Sequence, residues 1–238
     1  MRYNINIFII KWYCVFYLPV YFIRKGLYTS LKEMAPLMKG KLLDFGCGAK
    51  PYKSLFTNAS EYIGLDIEVS GHSHQNENID VYYDGKIIPF QDNHFDNVFA
   101  TEVFEHVFNI DEVLPEIKRV LKPGGQILIT CPFVFPEHEK PYDFARYTSF
   151  GIKHIFEKHG FKIIDQRKTG NYVEVAAQIF MYYINYMLPK KPFLIYLILF
   201  QIFLLPIIVI TSILNFILPK KLKRDDFYHN NVVLAQKL

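Results

Sequence analysis

Cysteine is scarce in this sequence, which has three in 238 residues: Cys14, Cys47 and Cys131. They form no CxxC pair, and no histidine stands near them at the spacing of metal ligands. This scarcity argues against a disulfide scaffold, favours a reducing, cytosolic compartment and gives no indication of a metal site. We expect Cys47 and Cys131 to be small buried apolar residues at strand ends.

The apolar N-terminus lacks an A-x-A-like cleavage site, and Lys11 interrupts its apolar run. A signal peptide is therefore not predicted. The same stretch is rich in aromatic residues, among them Trp12 and Phe16, and Arg24-Lys25 follow it. This composition is typical of a segment at the level of the lipid headgroups.

Acidic residues are almost absent from the two most apolar regions. Residues 1–40 contain six Lys/Arg and one acid, and residues 189–224 contain six Lys/Arg and no acid. Subtracting these charges of +5 and +6 from the net charge of +4 leaves −7 for the rest of the chain. Basic charge beside apolar sequence suits an anionic membrane surface better than nucleic acid. We expect a membrane-surface partner and no nucleic-acid partner.

Residues 193–218 contain no charged side chain, and pairs of lysines flank them at 190–191 and 220–221. The segment is long enough to cross a bilayer. If the NVVLAQK run at 231–237 is the last strand of a sheet, however, both ends of the segment lie on one side of the membrane. Pro206 divides the segment into halves that are each too short to span. We therefore predict a re-entrant or interfacial hairpin that enters from the cytoplasm; a hydrophobic dimer interface or lid is the alternative.

Short apolar runs alternate with helical patterns along the rest of the chain. We predict that Asp111 caps a helix that Pro123-Gly124-Gly125 stop, and that a second helix covers 148–160. This alternation predicts an α/β, Rossmann-like, doubly wound fold with a mostly parallel sheet of seven strands and an apolar, membrane-associating insertion before the last strand. The seven strands are expected at 41–48, 62–67, 81–85, within 95–107, and at 126–133, 161–169 and 231–237.

The residues that follow the strands are candidates for ligand binding, because open α/β sheets bind ligands beyond the carboxyl ends of their strands. Gly46 and Gly48 follow the first strand and allow close approach of the backbone, and Asp66 ends the second strand, where it can accept from ribose hydroxyls. An ordinary strand-to-helix turn is the alternative for the glycines. A nicotinamide-binding loop requires a glycine at position 51, where this chain has Pro51.

The segments LLDFGCG, YIGLDIE, DGKIIPFQDNHFDNV, EVFEHV and LKPGGQILITCPF resemble the successive motifs of class I S-adenosylmethionine-dependent methyltransferases, of the methyltransferase type 11-like kind. The resemblance covers about residues 40 to 170. Many relatives have a third glycine in the first motif where this chain has Lys50. The resemblance implies S-adenosylmethionine as the cofactor, with Asp44, Gly46 and Gly48 at its methionine part, Asp66 at its ribose, Asp84 at its adenine amine and Glu102 also among the cofactor-binding residues. A simple turn acid is the alternative for Asp84.

The candidate catalytic residues are His106, His138, Arg146 and Tyr147. The last three belong to the segment PEHEKPYDFARYT at 136–148, which resembles a segment of methyltransferases in polysaccharide and cell-surface glycan pathways. Removal of a hydroxyl proton calls for a histidine or an acid, and Arg146 suits an anionic group of the acceptor. The alternatives are a capping or packing role for His106 and a salt bridge between Arg146 and Asp143.

The sequence thus predicts three regions: residues 1–39 as an apolar, aromatic segment with a lead-in helix, 40–191 plus 225–238 as the methyltransferase domain, and 192–224 as the hydrophobic insertion. We expect an enzyme at the cytoplasmic face of the membrane that O-methylates a small-molecule, glycan or lipid-linked acceptor of a membrane-associated or cell-surface pathway. The alternatives are a nicotinamide-dependent oxidoreductase and a catalytically silent membrane adaptor with this fold.

Overall fold

The computed structural model describes residues 7–68 and 77–238. Seven strands form one sheet with the order β3-β2-β1-β4-β5-β7-β6. The pairs β1/β2, β2/β3, β1/β4 and β4/β5 are parallel, and β7 runs antiparallel to β5. The predicted α/β, Rossmann-like fold with seven strands is confirmed. The strands are β1 (Gly40–Phe45), β2 (Ala59–Ile67), β3 (Val81–Tyr83), β4 (Phe95–Thr101), β5 (Leu121–Pro132), β6 (Phe161–Thr169) and β7 (Asn230–Lys237).

In the described residues five α-helices accompany the sheet, and both ends of the second helix differ from the prediction. The cap of the second helix is Asn109, so Asp111 lies in the first turn, where its charge interacts favourably with the helix dipole. This helix ends at Val120, and Pro123-Gly124-Gly125 fall inside β5 instead of stopping the helix. The helices are α1 (Tyr21–Met34), α2 (Ile110–Val120), α3 (Ser149–Lys158), α4 (Tyr172–Met187) and α5 (Phe193–Ile217).

The chain forms two compact units. The first, which we call the sheet unit, comprises Ser30–Lys168 and Asn230–Leu238. The second, the helical unit, comprises the residues up to Thr29 together with Thr169–His229. This division differs from the predicted regions, which placed α4 with the methyltransferase domain, because α4 packs along α5.

The core of the sheet unit lies where apolar strands meet amphipathic helices. Leu43, Val98 and Ile129 of the central strands are fully buried, as are Ile117 of α2 and Phe156 of α3. Central parallel strands are covered on both faces, which explains their nearly continuous apolar sequences. This packing fixes the carboxyl ends of the strands, from which the candidate site is built.

In the helical unit, α4 and α5 form an antiparallel hairpin. Near the connection, Tyr196 Oη donates to Asn185 Oδ1 over 3.0 Å. At the opposite end, Asn215 accepts from Asn171 Nδ2 and donates to Glu174 Oε1, both over 2.9 Å. These contacts join one end of α4 to the far end of α5, so the chain returns to the sheet after α5.

The predicted break at Pro206 is wrong, because α5 continues through this residue. Proline removes one helical hydrogen bond. The neighbouring turns are nevertheless held, since Phe200, Leu204 and Ile208 form a buried stripe with Met181 of α4. The reversal in the apolar region therefore lies between α4 and α5 and not in the middle of residues 193–218.

Candidate cofactor and acceptor site

The sheet has its topological switch point between β1 and β4. From β1 the chain proceeds to β2 and β3 on one side, whereas β4 and β5 lie on the other. Ligands of such sheets bind beyond the carboxyl ends of the strands at this point. The residues after β1 and β4 are Gly46 to Lys50 and Glu102 to His106, and both sets include predicted site residues.

The loop after β1 requires glycine. Gly46 has a φ of 70°, and a Cβ at this position would lie 2.5 Å from Val103 Cγ2. Gly48 has a φ of 45°. The backbone N–H groups of Gly46 and Cys47 both donate to the carbonyl of Leu65, over 2.8 and 3.1 Å. The left-handed conformation therefore explains both glycines, and close packing on Val103 is a second reason for Gly46.

Asp44 lies at the base of this loop and is buried. Tyr62 Oη donates to its Oδ2, whereas its Oδ1 has no hydrogen-bond partner in the described part of the chain. Burial raises the pKa of Asp44 to about 7, although the hydrogen bond from Tyr62 acts in the opposite direction. An unpaired buried carboxylate oxygen fits the ammonium group of a methionine moiety, which would supply both a donor and a positive charge.

Asp66 connects the end of β2 to the glycine loop. Its Oδ2 accepts from the N–H of Gly48 and its Oδ1 accepts from the N–H of Ile67, both over 2.8 Å. Asp66 thus holds the loop in place, and its contact with ribose hydroxyls stays a prediction.

Lys50 belongs to this site although no role was predicted for it. Its side chain is 4% exposed, and its Nζ donates to Asp80 Oδ2 over 2.5 Å. The same oxygen accepts from the N–H of Gly64 over 2.6 Å. A Cβ on Gly64 would lie 2.2 Å from Lys50 Cε, so Gly64 makes room for the lysine. In the sequence, the only indication of a role for this residue was that it replaces the third glycine of many relatives.

Asp84 occupies a turn after β3. Its Oδ1 accepts from the N–H groups of Lys86 and Ile87, over 2.8 and 3.0 Å, and these bonds lower the pKa of Asp84. The carboxylate therefore stabilises the turn, which was the alternative role for this position. Its contact with an adenine amine stays a prediction.

Glu102 follows β4 and connects it to two other strand ends. Its Oε1 accepts from Thr130 Oγ1 and its Oε2 accepts from Asn230 Nδ2, both over 2.7 Å. Its φ of 54° lies in the left-handed region, where a non-glycine residue is uncommon. These bonds fix the carboxylate at the switch point, and its role in cofactor binding stays a prediction.

The structure brings His106 and His138 together beside the loop of residues 136–148, a region that we call the acceptor side. Their Nε2 atoms lie 3.2 Å apart. His106 Nδ1 lies 2.7 Å from the carbonyl oxygen of Tyr142, and His138 Nδ1 lies 3.3 Å from Asp143 Oδ2. A carbonyl can only accept, so His106 donates from Nδ1 and its Nε2 is an acceptor, which His138 Nε2 faces.

Arg146 makes a two-pronged salt bridge with Asp143. Its Nη1 and Nη2 donate to Asp143 Oδ1 and Oδ2, over 2.5 and 2.7 Å. This contact holds the pKa of Asp143 far below its usual range. The arrangement is the loop-shaping alternative for Arg146, and its contact with an acceptor anion stays a prediction. Tyr147 packs against the core, and its carbonyl accepts from Asn231 Nδ2 over 2.8 Å.

Glu105 is a second site residue to which the sequence analysis gave no role. Its side chain is fully buried, and neither carboxylate oxygen has a hydrogen-bond partner among the described residues. Burial, followed by the nearby charge of Glu102, raises the pKa of Glu105. Its backbone carbonyl accepts from the N–H groups of Phe144 and Ala145, over 2.8 and 3.2 Å, which ties the acceptor-side loop to the turn after β4.

Residues 43–129 match the family described as a methyltransferase domain. The chain carries a methyltransferase domain. This finding and the mixed seven-stranded fold confirm the predicted resemblance to class I methyltransferases. The cofactor of this class of domain is S-adenosylmethionine, and the orphaned oxygen of Asp44 beside the glycine loop fits its amino group.

Two curated relatives resemble the central part of the chain. A ubiquinone/menaquinone biosynthesis C-methyltransferase, UbiE, from Shewanella pealeana is 29% identical over 102 residues, which are 43% of this chain and 35% of that protein. A malonyl-[acyl-carrier protein] O-methyltransferase from Erwinia pyrifoliae is 30% identical over 95 residues, which are 38% and 36% of the two chains. The matches thus span about a third of the length of either relative.

A solved structure extends the likeness in fold. An S-adenosylmethionine-dependent methyltransferase from Mesorhizobium loti superposes with a TM-score of 0.54, covering 89% of this chain and 98% of that chain, at 14% identity. At this identity the likeness concerns the fold alone.

Proposed function

We propose that this chain transfers a methyl group from S-adenosylmethionine to an oxygen atom of a glycan or lipid-pathway acceptor at the cytoplasmic face of a membrane. S-adenosylmethionine as the methyl donor is supported by the unpaired Asp44 Oδ1 beside the glycine loop. Location at a membrane is supported by the exposed, uncharged surface of α5.

The cofactor, when bound, supplies an activated methyl group on a sulfonium. Asp44 pairs with the ammonium, Asp66 accepts from ribose hydroxyls, and Gly46 and Gly48 let the backbone approach the ligand. Because the methyl is already activated, the main task of the protein is to align the acceptor and remove its proton.

On the acceptor side, the two histidines are the groups that can take up a hydroxyl proton. Both are partly exposed, with 16% of the His106 and 29% of the His138 side chain accessible. Desolvation, then the proximity of His106, lowers the pKa of His138, which keeps it in the neutral form that accepts a proton. This favours an oxygen nucleophile, whose proton must leave.

The surface of α5 supports attachment to lipid. The helix is long and apolar enough to cross a membrane, with a mean hydropathy of 2.9, and 22% of its most apolar window is buried. In water a surface helix normally presents polar residues opposite its buried stripe. Here the outward residues are large and apolar: Leu194, Ile195, Ile198, Ile202, Phe203, Ile210, Ile213 and Phe216.

The connectivity supports insertion without crossing. Strand β6 precedes the α4/α5 hairpin and β7 follows it, and both belong to one sheet. A crossing by α5 therefore requires a return crossing by α4, whose 16 residues extend only about 24 Å against a hydrocarbon thickness of ~30 Å. We infer that the hairpin lies within one leaflet, with 79%-exposed Trp12 at headgroup level.

A second candidate is methylation of carbon in a membrane-embedded quinone. The Shewanella pealeana relative is named a C-methyltransferase of ubiquinone/menaquinone biosynthesis. The Erwinia pyrifoliae relative is named an O-methyltransferase, so the two relatives divide between the two kinds of acceptor atom. The histidine pair favours oxygen.

The test is transfer of label from methyl-labelled S-adenosylmethionine to a cell-envelope extract by the purified full-length chain, with Asp66→Ala as the matched variant of weakened cofactor binding. The organic and aqueous phases are separated, and the labelled product is fragmented by mass spectrometry. We expect label on an oxygen of a lipid-extractable saccharide or lipid. Label on a quinone ring carbon supports the second candidate, and label confined to water-soluble metabolites contradicts the membrane acceptor.

A further inference from the structure

Three side chains on the acceptor side converge on one point. His106 Nε2, His138 Nε2 and an oxygen of Glu105 all lie within 4.8 Å of one another. The two nitrogens are 3.2 Å apart, and Glu105 Oε1 lies 3.8 Å from the first and 3.9 Å from the second. Imidazole and carboxylate groups at such distances are donors for a metal ion.

The hydrogen bond of the His106 ring leaves its facing nitrogen without a proton. His106 Nδ1 donates to the carbonyl of Tyr142, and His138 Nδ1 faces the carboxylate of Asp143. His106 Nε2 therefore presents a lone pair, whereas His138 Nδ1 has no hydrogen-bond partner among the described residues, so His138 Nε2 can either donate to His106 or present a second lone pair across 3.2 Å. In the second form a cation between the two nitrogens satisfies both lone pairs.

Glu105 supplies an independent observation. Its side chain is fully buried, and in the described residues neither of its oxygens accepts a hydrogen bond. Burying a carboxylate without a partner is costly, so such groups are normally paired or bound to a metal. The carboxylate faces the same two nitrogens, and a cation there compensates for its lost hydration.

The surroundings have the features of an oriented metal site. Histidine ligands usually donate their second N–H to a carboxylate or a backbone carbonyl. His106 has the carbonyl form, and the Asp143 carboxylate lies 3.3 Å from His138 Nδ1. Tetrahedral zinc ligands about 2.0–2.1 Å from the ion are about 3.3 Å apart, close to the observed separation of the nitrogens. The separations to Glu105 are about half an ångström longer than this ideal, which a small side-chain rotation corrects.

We propose that Glu105, His106 and His138 bind a divalent transition-metal ion of the zinc type, with an open coordination position on the side where the histidines are exposed. Glu139 Oε2 lies 3.9 Å from His106 Nε2 and adds negative charge on that side. Binding uses both Nε2 lone pairs, so neither histidine can then take up the hydroxyl proton. A bound ion would acidify an acceptor hydroxyl at its open position, and the proton would leave to solvent on the exposed side. That consequence rests on the proposed function, whereas the binding does not.

The test uses the full-length chain, stripped with a chelator and titrated with Zn²⁺ by calorimetry. His106→Gln, His138→Gln and Glu105→Gln remove one ligand each, and His154→Gln is the matched control because His154 is an exposed histidine of α3. We expect one site per chain in the parent and in His154→Gln. Each ligand variant is expected to lose roughly 100-fold in affinity, and Asp143→Asn roughly 10-fold.

Two further measurements guard against misfolding and against binding by thiols. Zn²⁺ should raise the melting temperature of the parent and of His154→Gln but not that of the ligand variants, whose circular dichroism verifies the fold. Co²⁺ should give visible bands of a nitrogen and oxygen site without thiolate charge-transfer absorption. Equal Zn²⁺ affinity in the parent and in properly folded His106→Gln and His138→Gln would overturn the proposal, as would a thiolate spectrum. Loss of metal binding with retained methyl transfer separates this proposal from the proposed function.

Discussion

Tyr62 Oη donates a hydrogen bond to Oδ2 of Asp44, while Oδ1 of the same buried carboxylate has no partner in the described residues. Burial raises the pKa of Asp44 to about 7, so without a ligand this group is largely protonated below neutral pH. An ammonium group at Oδ1 requires the ionised form. If Asp44 holds the ammonium group as proposed, the cofactor displaces a proton when it binds.

The first prediction is that affinity for S-adenosylmethionine falls as the pH is lowered below about 7, by up to roughly tenfold per pH unit. The sign follows from the raised pKa: lowering the pH adds a proton that binding must remove. Calorimetry in two buffers of different ionisation enthalpy measures the released proton. Asp44→Asn should bind weakly without this dependence. A parent affinity that is constant between about pH 5 and 7 would contradict the assignment.

The second prediction concerns Asp66, whose two oxygens hold Gly48 and Ile67. Asp66→Ala should weaken S-adenosylmethionine binding by roughly 1.5 to 3 kcal/mol, because a charged acceptor for ribose hydroxyls is lost. Asp225→Ala is the control, since Asp225 is an exposed acid outside the predicted cofactor site and should leave the affinity unchanged. Unchanged affinity in Asp66→Ala, measured by calorimetry, would remove Asp66 from the cofactor site.

The strands and the cofactor loop were predictable from the sequence because both depend on neighbours in the chain. An apolar run marks a buried strand, and Gly46 and Gly48 mark a turn with left-handed backbone. The buried pair of Lys50 and Asp80 was not predictable in this way. The two residues are 30 positions apart in the chain. Their contact depends on the packing of the Lys50 side chain against Gly64, where a Cβ would collide with it.

The same limit applies to the acceptor side and to the helical unit. His106 and His138 were candidates by residue type, but their contact arises from the path of a loop that Glu105 anchors through its backbone. Helix α4 was not predicted, and Pro206 was given too much weight as a helix breaker. Packing of α5 on α4 overrides the local preference of proline in this case.

The third prediction concerns His229, which is buried with no hydrogen-bond partner for either ring nitrogen in the described part of the chain. Burial lowers its pKa to about 4, so the folded chain holds it neutral. Because the folded pKa lies below the unfolded one, its contribution to stability is present above about pH 6.5 and is lost as the pH falls towards 4.

The loss amounts to about 3 kcal/mol at most. Chemical unfolding at several pH values should show it as a difference between the parent and His229→Leu, which lacks the titrating group. The exposed His154→Leu serves as the control and should follow the parent. Parallel curves for the parent and His229→Leu would show that His229 is hydrated or charged in the folded chain.

The fourth prediction separates the two roles considered for Arg146. Both terminal nitrogens of its guanidinium donate to the carboxylate of Asp143. Asp143 also accepts from the backbone N–H of His138 over 2.9 Å. Arg146→Ala should reduce methyl transfer by disturbing the loop that carries His138, with little effect on cofactor affinity. Steady-state kinetics and calorimetry measure the two effects.

Arg146→Lys distinguishes the loop role from binding of an acceptor anion. Lysine keeps the charge but cannot make the two-pronged contact with Asp143. If the loop contact matters, Arg146→Lys should be nearly as impaired as Arg146→Ala. Full activity in Arg146→Lys would show that charge towards the acceptor is the main contribution, and equal loss of cofactor affinity and turnover would contradict both roles.

The last prediction is that the α4/α5 hairpin enters the membrane from the cytoplasmic side and does not cross it. Lys191 lies in the connection between the helices, and Lys221 follows α5. Both are exposed. If the hairpin lies within one leaflet, both positions stay on the side of the sheet unit, because α4 is too short to carry the connection across.

Single cysteines at these two positions, in a variant with Cys14, Cys47 and Cys131 replaced by alanine, provide the measurement. In intact cells a membrane-impermeant thiol reagent should label neither Lys191→Cys nor Lys221→Cys, and after lysis it should label both. Labelling of Lys191→Cys alone from outside means that α4 and α5 both cross. Labelling of Lys221→Cys from outside is incompatible with the position of β7 in the sheet, because the strand that follows α5 would then lie on the opposite side from β6.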